Sequence, residues 1–331
     1  MYLLNTIRLI TGTIGRSSVI KGTASPGHIH LPGDAKYAEL VETCLYNSVL
    51  SGISLDGKKY FYTNPLRISA DLPYTLRWPK ERTEYISCFC CPPNTLRTLC
   101  QAQNYAYTLG AEGIYCNLYG ANILTTNWRD KGEIALTQKT AYPWEGNVRV
   151  EFDRVPRKAG AFSLFLRIPE WCEKAMLTVN GEPVPVAAKA NTYAEVKRTW
   201  KKGDVVEWVM DMPVRLLEAH PLVEEIRNQV VVKRGPLVYC LESMDMTGGG
   251  SIDNVLIPAD IKLIPKKVTI EGSPVVALEG KARLISSNSW EGILYQPVGF
   301  AGKTVDIRLI PYYAWGNRGK GEMTVWMPLG R

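Results

Sequence analysis

The sequence predicts a mixed chain, a helical segment followed by two all-β domains. Two patterns and one bound predict it. Apolar residues recur at i, i+3, i+4 and i+7 between Asp34 and Gly52 and resume behind Asn94, the spacing of one helix face. From about residue 110 the period drops to two, in short runs separated by turn signals, as in β-sandwiches. A length of 331 residues accommodates two or three domains, and the changes of period place them at 1–109, 110–212 and 213–331.

Residues 1–15 are apolar and glycine-punctuated, and 16–31 read as irregular. His28 and His30 form a His-x-His pair able to chelate zinc, but with no other ligand type near them they read as surface histidines. Asp34 is the expected N-cap of the first helix, with Gly52 as its stop. Tyr37, Leu40, Val41, Cys44, Leu45, Ser48 and Val49 form its apolar face. Cys44 then packs in the core, and Glu42, at the border of the face, could reach a cleft. Asp56-Gly57 predicts a type I′ hairpin turn ending near Tyr62, and 67–87 reads as a polar loop.

Next comes Cys88-Phe89-Cys90-Cys91-Pro92-Pro93-Asn94, with three of the eight cysteines in four residues. Adjacent cysteines bridge poorly, because a disulfide needs well-separated Cα atoms. Thiolates are strong nucleophiles and zinc ligands. The two prolines stiffen the turn, and Asn94 is a natural N-cap for a helix carrying Leu96, Leu99, Cys100 and Tyr107. A helix N-terminus favours thiolate over thiol. A cluster so placed points to metal or catalytic chemistry over inert, buried cysteines.

The β part follows in order. Strand alternation runs through 114–119, 147–152, 162–168, 176–179, 193–197 and 205–210, with Asn180-Gly181 as a hairpin turn. Cys116, Cys172 and Cys240 sit in such runs and read as core. Pro213 to Pro221 reads as a boundary. Residues 228–242 open the last β region, Gly248-Gly249-Gly250 loops within it, and 306–327 is strand-rich again.

Composition excludes several classes. The net charge of +7 comes from 39 basic and 32 acidic residues whose basic runs are no longer than pairs such as Lys201-Lys202, so no nucleic-acid stripe is present. No apolar run is long enough to span a membrane. The first residues lack the basic and apolar regions of an export signal, so a soluble chain of undetermined compartment is expected. Eight cysteines are too sparse for a disulfide scaffold.

Six segments together resemble the cysteine- and zinc-dependent β-L-arabinofuranosidases of glycoside hydrolase families 127 and 146. They are 9–15, 34–66 with its GISLDG, 88–94 (CFCCPPN), 111–122, 224–242 with its RGPLVYC, and 310–328. The resemblance covers nearly the whole chain except 16–30. It implies a remnant of an (α/α)6 barrel ahead of two β-sandwich domains, and the retaining removal of terminal β-L-arabinofuranose from plant glycans. Retaining hydrolysis ordinarily uses two carboxyl groups; in this family a zinc-bound cysteine replaces the nucleophilic one and a Glu is the acid/base. The matching nucleophile is Cys90, with Cys91 a neighbouring ligand, so Zn²⁺ is the implied cofactor on Cys90 and Cys91. Glu42 and Tyr62 match segments lining the family's sugar pocket. An arabinofuranose-containing glycan is the implied partner.

The resemblance breaks between Gly15 and Asp34. There the family carries a strand with the acid/base Glu and a helix with a Glu-x-Cys pair that completes the zinc site. Here one segment leads directly to the other, so both are expected to be missing, together with the front half of the barrel. Glu42-Thr43-Cys44 mimics the lost pair, but its flanking Leu45-Tyr46-Asn47-Ser48 assigns it to the later helix. The chain is therefore expected to be a C-terminal fragment or shortened product, weakly active or inactive. The competing expectation is a non-catalytic β-sandwich module that binds glycans or serves structure. A structural zinc or iron–sulfur protein on Cys88, Cys90 and Cys91 lacks a fourth ligand at suitable spacing.

Overall fold

The computed structural model describes residues 34–69, 77–87, 90–285, 291–295 and 302–330. His28, His30 and Cys88 lie outside them. The described chain is β-rich with few helices, as the change of period predicted. Its compact units do not follow chain order: one gathers 46–96 with 214–330, and the other 34–45 with 97–213.

The second unit holds two sheets. A four-stranded sheet orders Thr192–Arg198, Phe162–Ile168, Gly113–Cys116 and Tyr107–Leu109, with Gly113–Cys116 parallel to Phe162–Ile168. A six-stranded sheet orders Asn122–Asn127, Glu133–Thr140, Asn147–Arg154, Val205–Met210, Ala175–Val179 and Glu182–Val184. Glu133–Thr140 and Asn147–Arg154 alternate buried and exposed, as strands with one face on a core must. Phe162–Ile168 is buried throughout. Phe152 stacks on Trp200 at 4.2 Å, and the Trp200 indole N–H donates to the Phe162 carbonyl at 3.0 Å, so this indole is buried with its donor satisfied. Asn180 and Gly181 both take positive φ, 54° and 86°, the type I′ geometry their sequence predicts. Cys116 and Cys172 are buried here, as expected.

Helix α1, Ala35–Cys44, belongs to the same unit, and its N-cap is Asp34, whose carboxylate accepts from the Lys36 N–H. Its orientation corrects the sequence reading. The buried residues are Ala35, Ala38, Glu39, Glu42 and Cys44, while Tyr37 and Leu40 of the expected core face are 36% and 38% exposed. The acidic side can turn inward because Arg167, fully buried on Phe162–Ile168, faces it. The helix also stops early. A π turn, Leu45–Val49, and a 3-10 turn, Leu50–Gly52, replace its expected last turns.

The first unit is built on a ten-stranded sheet. Leu237–Met246, Gly302–Pro311, Ser273–Ile285, Val255–Pro258, Met327–Gly330 and Gln229–Arg234 pair in succession, and the last pairs back to the first, so this path has no free edge. Val214–Glu218 adds to Gln229–Arg234, so this unit resumes with a strand directly after the boundary expected at Pro213. Two contributions come from the front of the chain. Arg67–Ile68, read as loop, pairs with Met323–Thr324. Asn47, in the π turn, donates its amide to the Pro236 carbonyl and accepts from the Val238 N–H, both at 2.8 Å. The Asp56-Gly57 hairpin is reduced to a single bridge, Ile53 to Tyr60, because Ser54 draws the backbone N–H groups of Lys58 and Lys59 onto its hydroxyl.

Arg82 lies at the centre of this front segment and is buried. Phe61 and Trp315 stack on each other at 4.7 Å, with the Arg82 guanidinium 4.3 Å from the Phe61 ring. Its N–H groups donate to the carbonyls of Ser51, Tyr313 and Trp315. Burial pulls its pKa down to about 10, against the field of Tyr312 and Glu242.

Candidate active site

Helix α2 spans Cys91–Gln101 and starts earlier than the sequence reading placed it. Asn94 is no cap; its N–H donates to the Cys90 carbonyl at 3.1 Å, inside the first turn. Pro92 and Pro93 fit that turn because its N–H groups have no partner within a helix. The helix ends at Gln101, and Tyr107 lies in a strand instead. No residue of α2 is buried. Its start is held close to the 3-10 turn: a Cβ on Gly52 would come within 3.2 Å of the Thr95 hydroxyl, so glycine permits the approach.

The two thiols stand at this helix start. Cys90 is exposed, Cys91 partly so, and their sulfurs are 3.3 Å apart. Cys90 therefore has the access to solvent that a nucleophile requires. In the same unit Tyr62 stacks on Trp78 at 4.0 Å and is 38% exposed, with the Arg77 guanidinium 5.1 Å from the Trp78 ring. An aromatic surface of this kind matches the apolar face of a sugar ring. Behind it, Asn64 donates to the Ser51 hydroxyl and accepts from the Trp315 indole at 3.0 Å. The Tyr312 hydroxyl donates to the Pro65 carbonyl at 2.8 Å. These bonds tie segment 62–66 to 310–316, a link no spacing in the sequence announced; both segments nonetheless carried the family resemblance.

The structure places Glu42 in the other unit, buried, with Oε1 2.6 Å from Arg167 Nη2. It faces a guanidinium rather than an open cleft. Cys44 is buried, and burial pushes its thiol up to about 11, so it reads as core rather than ligand.

Zinc takes four ligands. Among the described residues no group of three or more His, Cys, Asp or Glu is gathered to hold a metal. Two adjacent thiols are half a site, and the described residues do not fit a complete one. We expect elemental analysis after dialysis to find well under one zinc per chain; a full equivalent lost on Cys91→Ser would contradict this.

Three successive stretches match glycoside hydrolase domains: 29–104 the GH127 β-L-arabinofuranosidase catalytic domain, 113–212 its middle domain, and 214–328 the family 127 C-terminal domain. The chain belongs to glycoside hydrolase family 127. Over 311 residues it is 30% identical to a non-reducing end β-L-arabinofuranosidase of Bifidobacterium longum, covering 90% of this chain and 46% of that one. A solved structure described as a glycoside hydrolase is 86% identical, with a TM-score of 0.87 over 90% of this chain and 49% of its own. A GH127 β-L-arabinofuranosidase from Geobacillus stearothermophilus is 38% identical, with a TM-score of 0.79 over 90% and 47%. The chain thus spans about half the length of the relatives it matches.

Proposed function

We propose that this chain carries the nucleophile-bearing part of a retaining β-L-arabinofuranosidase acting on terminal β-L-arabinofuranose of plant glycans. The observation that carries the reading is the exposed Cys90 at the start of α2, within the stretch matching the catalytic domain. On this reading 1–109 is the remnant of an (α/α)6 barrel, and 110–212 and 213–331 are its β-sandwich domains. The uncovered apolar side chains Tyr37, Leu40 and Leu96 support it, since a barrel helix normally buries that face.

In the proposed reaction the Cys90 sulfur attacks the anomeric carbon, the bond to the leaving oxygen breaks, and an acid protonates that oxygen. Water then displaces the sulfur with retained configuration. Tyr62 and Trp78 offer the sugar a stacking surface. Glu42, also matched to the sugar pocket, supports α1 from its buried side. Zinc, if completed by residues beyond Cys90 and Cys91, would supply charge stabilisation to the sulfur.

No residue in this chain matches the family's acid/base Glu, so activity requires that group from elsewhere. The test is p-nitrophenol release from its β-L-arabinofuranoside by this chain joined to the front portion of the Geobacillus relative. Release that Cys90→Ser leaves unchanged would overturn the reading. Glycan binding without turnover would favour a binding module instead.

A further inference from the structure

The acidic side of α1 meets a single cation inside the second unit. Arg167 Nη1 donates to Glu39 Oε2 at 2.6 Å, and Nη2 lies 2.6 Å from Glu42 Oε1. Its Nε donates to the Asn117 carbonyl at 2.5 Å. Arg167 is fully enclosed, and both glutamates are more than nine-tenths buried. With every group ionised, the cluster would hold one uncompensated negative charge. An isolated buried charge is costly to hold, so such a group normally takes up a proton instead.

The hydrogen bonds separate the two carboxyls. Glu39 Oε2 accepts from Arg167 and also from the Glu170 N–H at 3.2 Å. Glu42 has the close guanidinium contact, but neither of its oxygens receives a well-aligned N–H from it. We propose that Glu42 carries a proton in this cluster at neutral pH, which lets α1 stay tied to the middle β-domain through Arg167 without an uncompensated buried charge.

The groups facing Glu42 are Glu39 on α1 itself, Arg167 on Phe162–Ile168, and the hydroxyls of Tyr142 and Tyr119 from the turns beside it. Burial raises the Glu42 pKa most; the charge of Arg167 opposes the rise, Glu39 adds to it, and side-chain interactions with Arg167 and the Tyr142 hydroxyl oppose it further without reversing it. The sign follows from linkage. A carboxyl with a raised folded pKa stabilises fully below its ordinary value of 4.5, and its contribution is lost as pH rises through the folded pKa.

Two measurements on the intact chain test this, neither needing activity. Infrared spectroscopy with ¹³C-labelled glutamate should find a protonated carboxyl band at neutral pH. It should vanish in Glu42→Gln and also in Glu39→Gln, which leaves one carboxylate for one guanidinium. Hydrogen exchange should find α1 protection in the wild type, relative to Glu42→Gln, falling up to about tenfold per pH unit above 4.5 and levelling once the proton is lost. No such band in the wild type, a band that persists in Glu42→Gln, or a protection ratio flat or rising with pH would overturn the proposal. Should Glu42→Gln fail to fold, the band in the wild type and its loss in Glu39→Gln decide alone.

Discussion

Joined to the front portion of a family 127 relative, this chain should release p-nitrophenol from its β-L-arabinofuranoside about 10²–10⁴-fold faster than alone, the usual contribution of a positioned acid. Closing a sugar site around the partly exposed pair of Tyr62 and Trp78 adds to that gain by holding the substrate in attack geometry. Cys90→Ser should then return the rate to background, because serine in its place has neither the acidity nor the polarisability of sulfur. Glu42→Gln should leave the rate far closer to wild type, since Glu42 faces Arg167 inside the middle unit. Turnover by the unextended chain at the joined chain's rate would contradict the assignment of the acid to another segment.

The largest effect on stability is expected at Arg82. Arg82→Leu removes a cation from contact with the Phe61 ring and leaves the carbonyls of Ser51, Tyr313 and Trp315 without that donor. Buried acceptors left unpaired cost about 1–3 kcal/mol each, here those of Ser51 and Tyr313, because the Trp315 carbonyl keeps the Asn317 amide as a donor. Part of that is offset because leucine needs no desolvation, which leaves a net loss of about 3 kcal/mol. The measurement is urea unfolding, where the midpoint should fall at unchanged slope. A shift within about 0.5 kcal/mol, the range of an ordinary surface substitution, would contradict the role assigned to Arg82.

What the sequence made legible is what depends on short-range pattern. Period two found six strands of the middle domain but not Asn122–Asn127 or Glu133–Thr140, Asn180-Gly181 found its hairpin, and Asp34 found a cap, because each of these rests on neighbours within a few residues. The cysteine cluster was visible for the same reason. The misread features depend on partners far along the chain. Hydropathy turned Tyr37 and Leu40 inward, whereas Arg167, more than a hundred residues away, buries Glu39 and Glu42 instead. A polar loop concealed a strand that needs Met323–Thr324 to exist and an arginine that needs Trp315 to be buried. Asn94 looked like a cap because two prolines before it suggested a turn, yet prolines also suit the first turn of a helix.

The central claim is that Cys90 is the nucleophile, and its most direct measurement is mass spectrometry of the joined protein quenched during turnover of a slow β-L-arabinofuranoside. The account predicts one pentosyl adduct on the peptide containing Cys90, absent in Cys90→Ser and released when the protein is left to turn over. An adduct on a carboxylate, or full turnover with Cys90 unmodified at every time point, would contradict it.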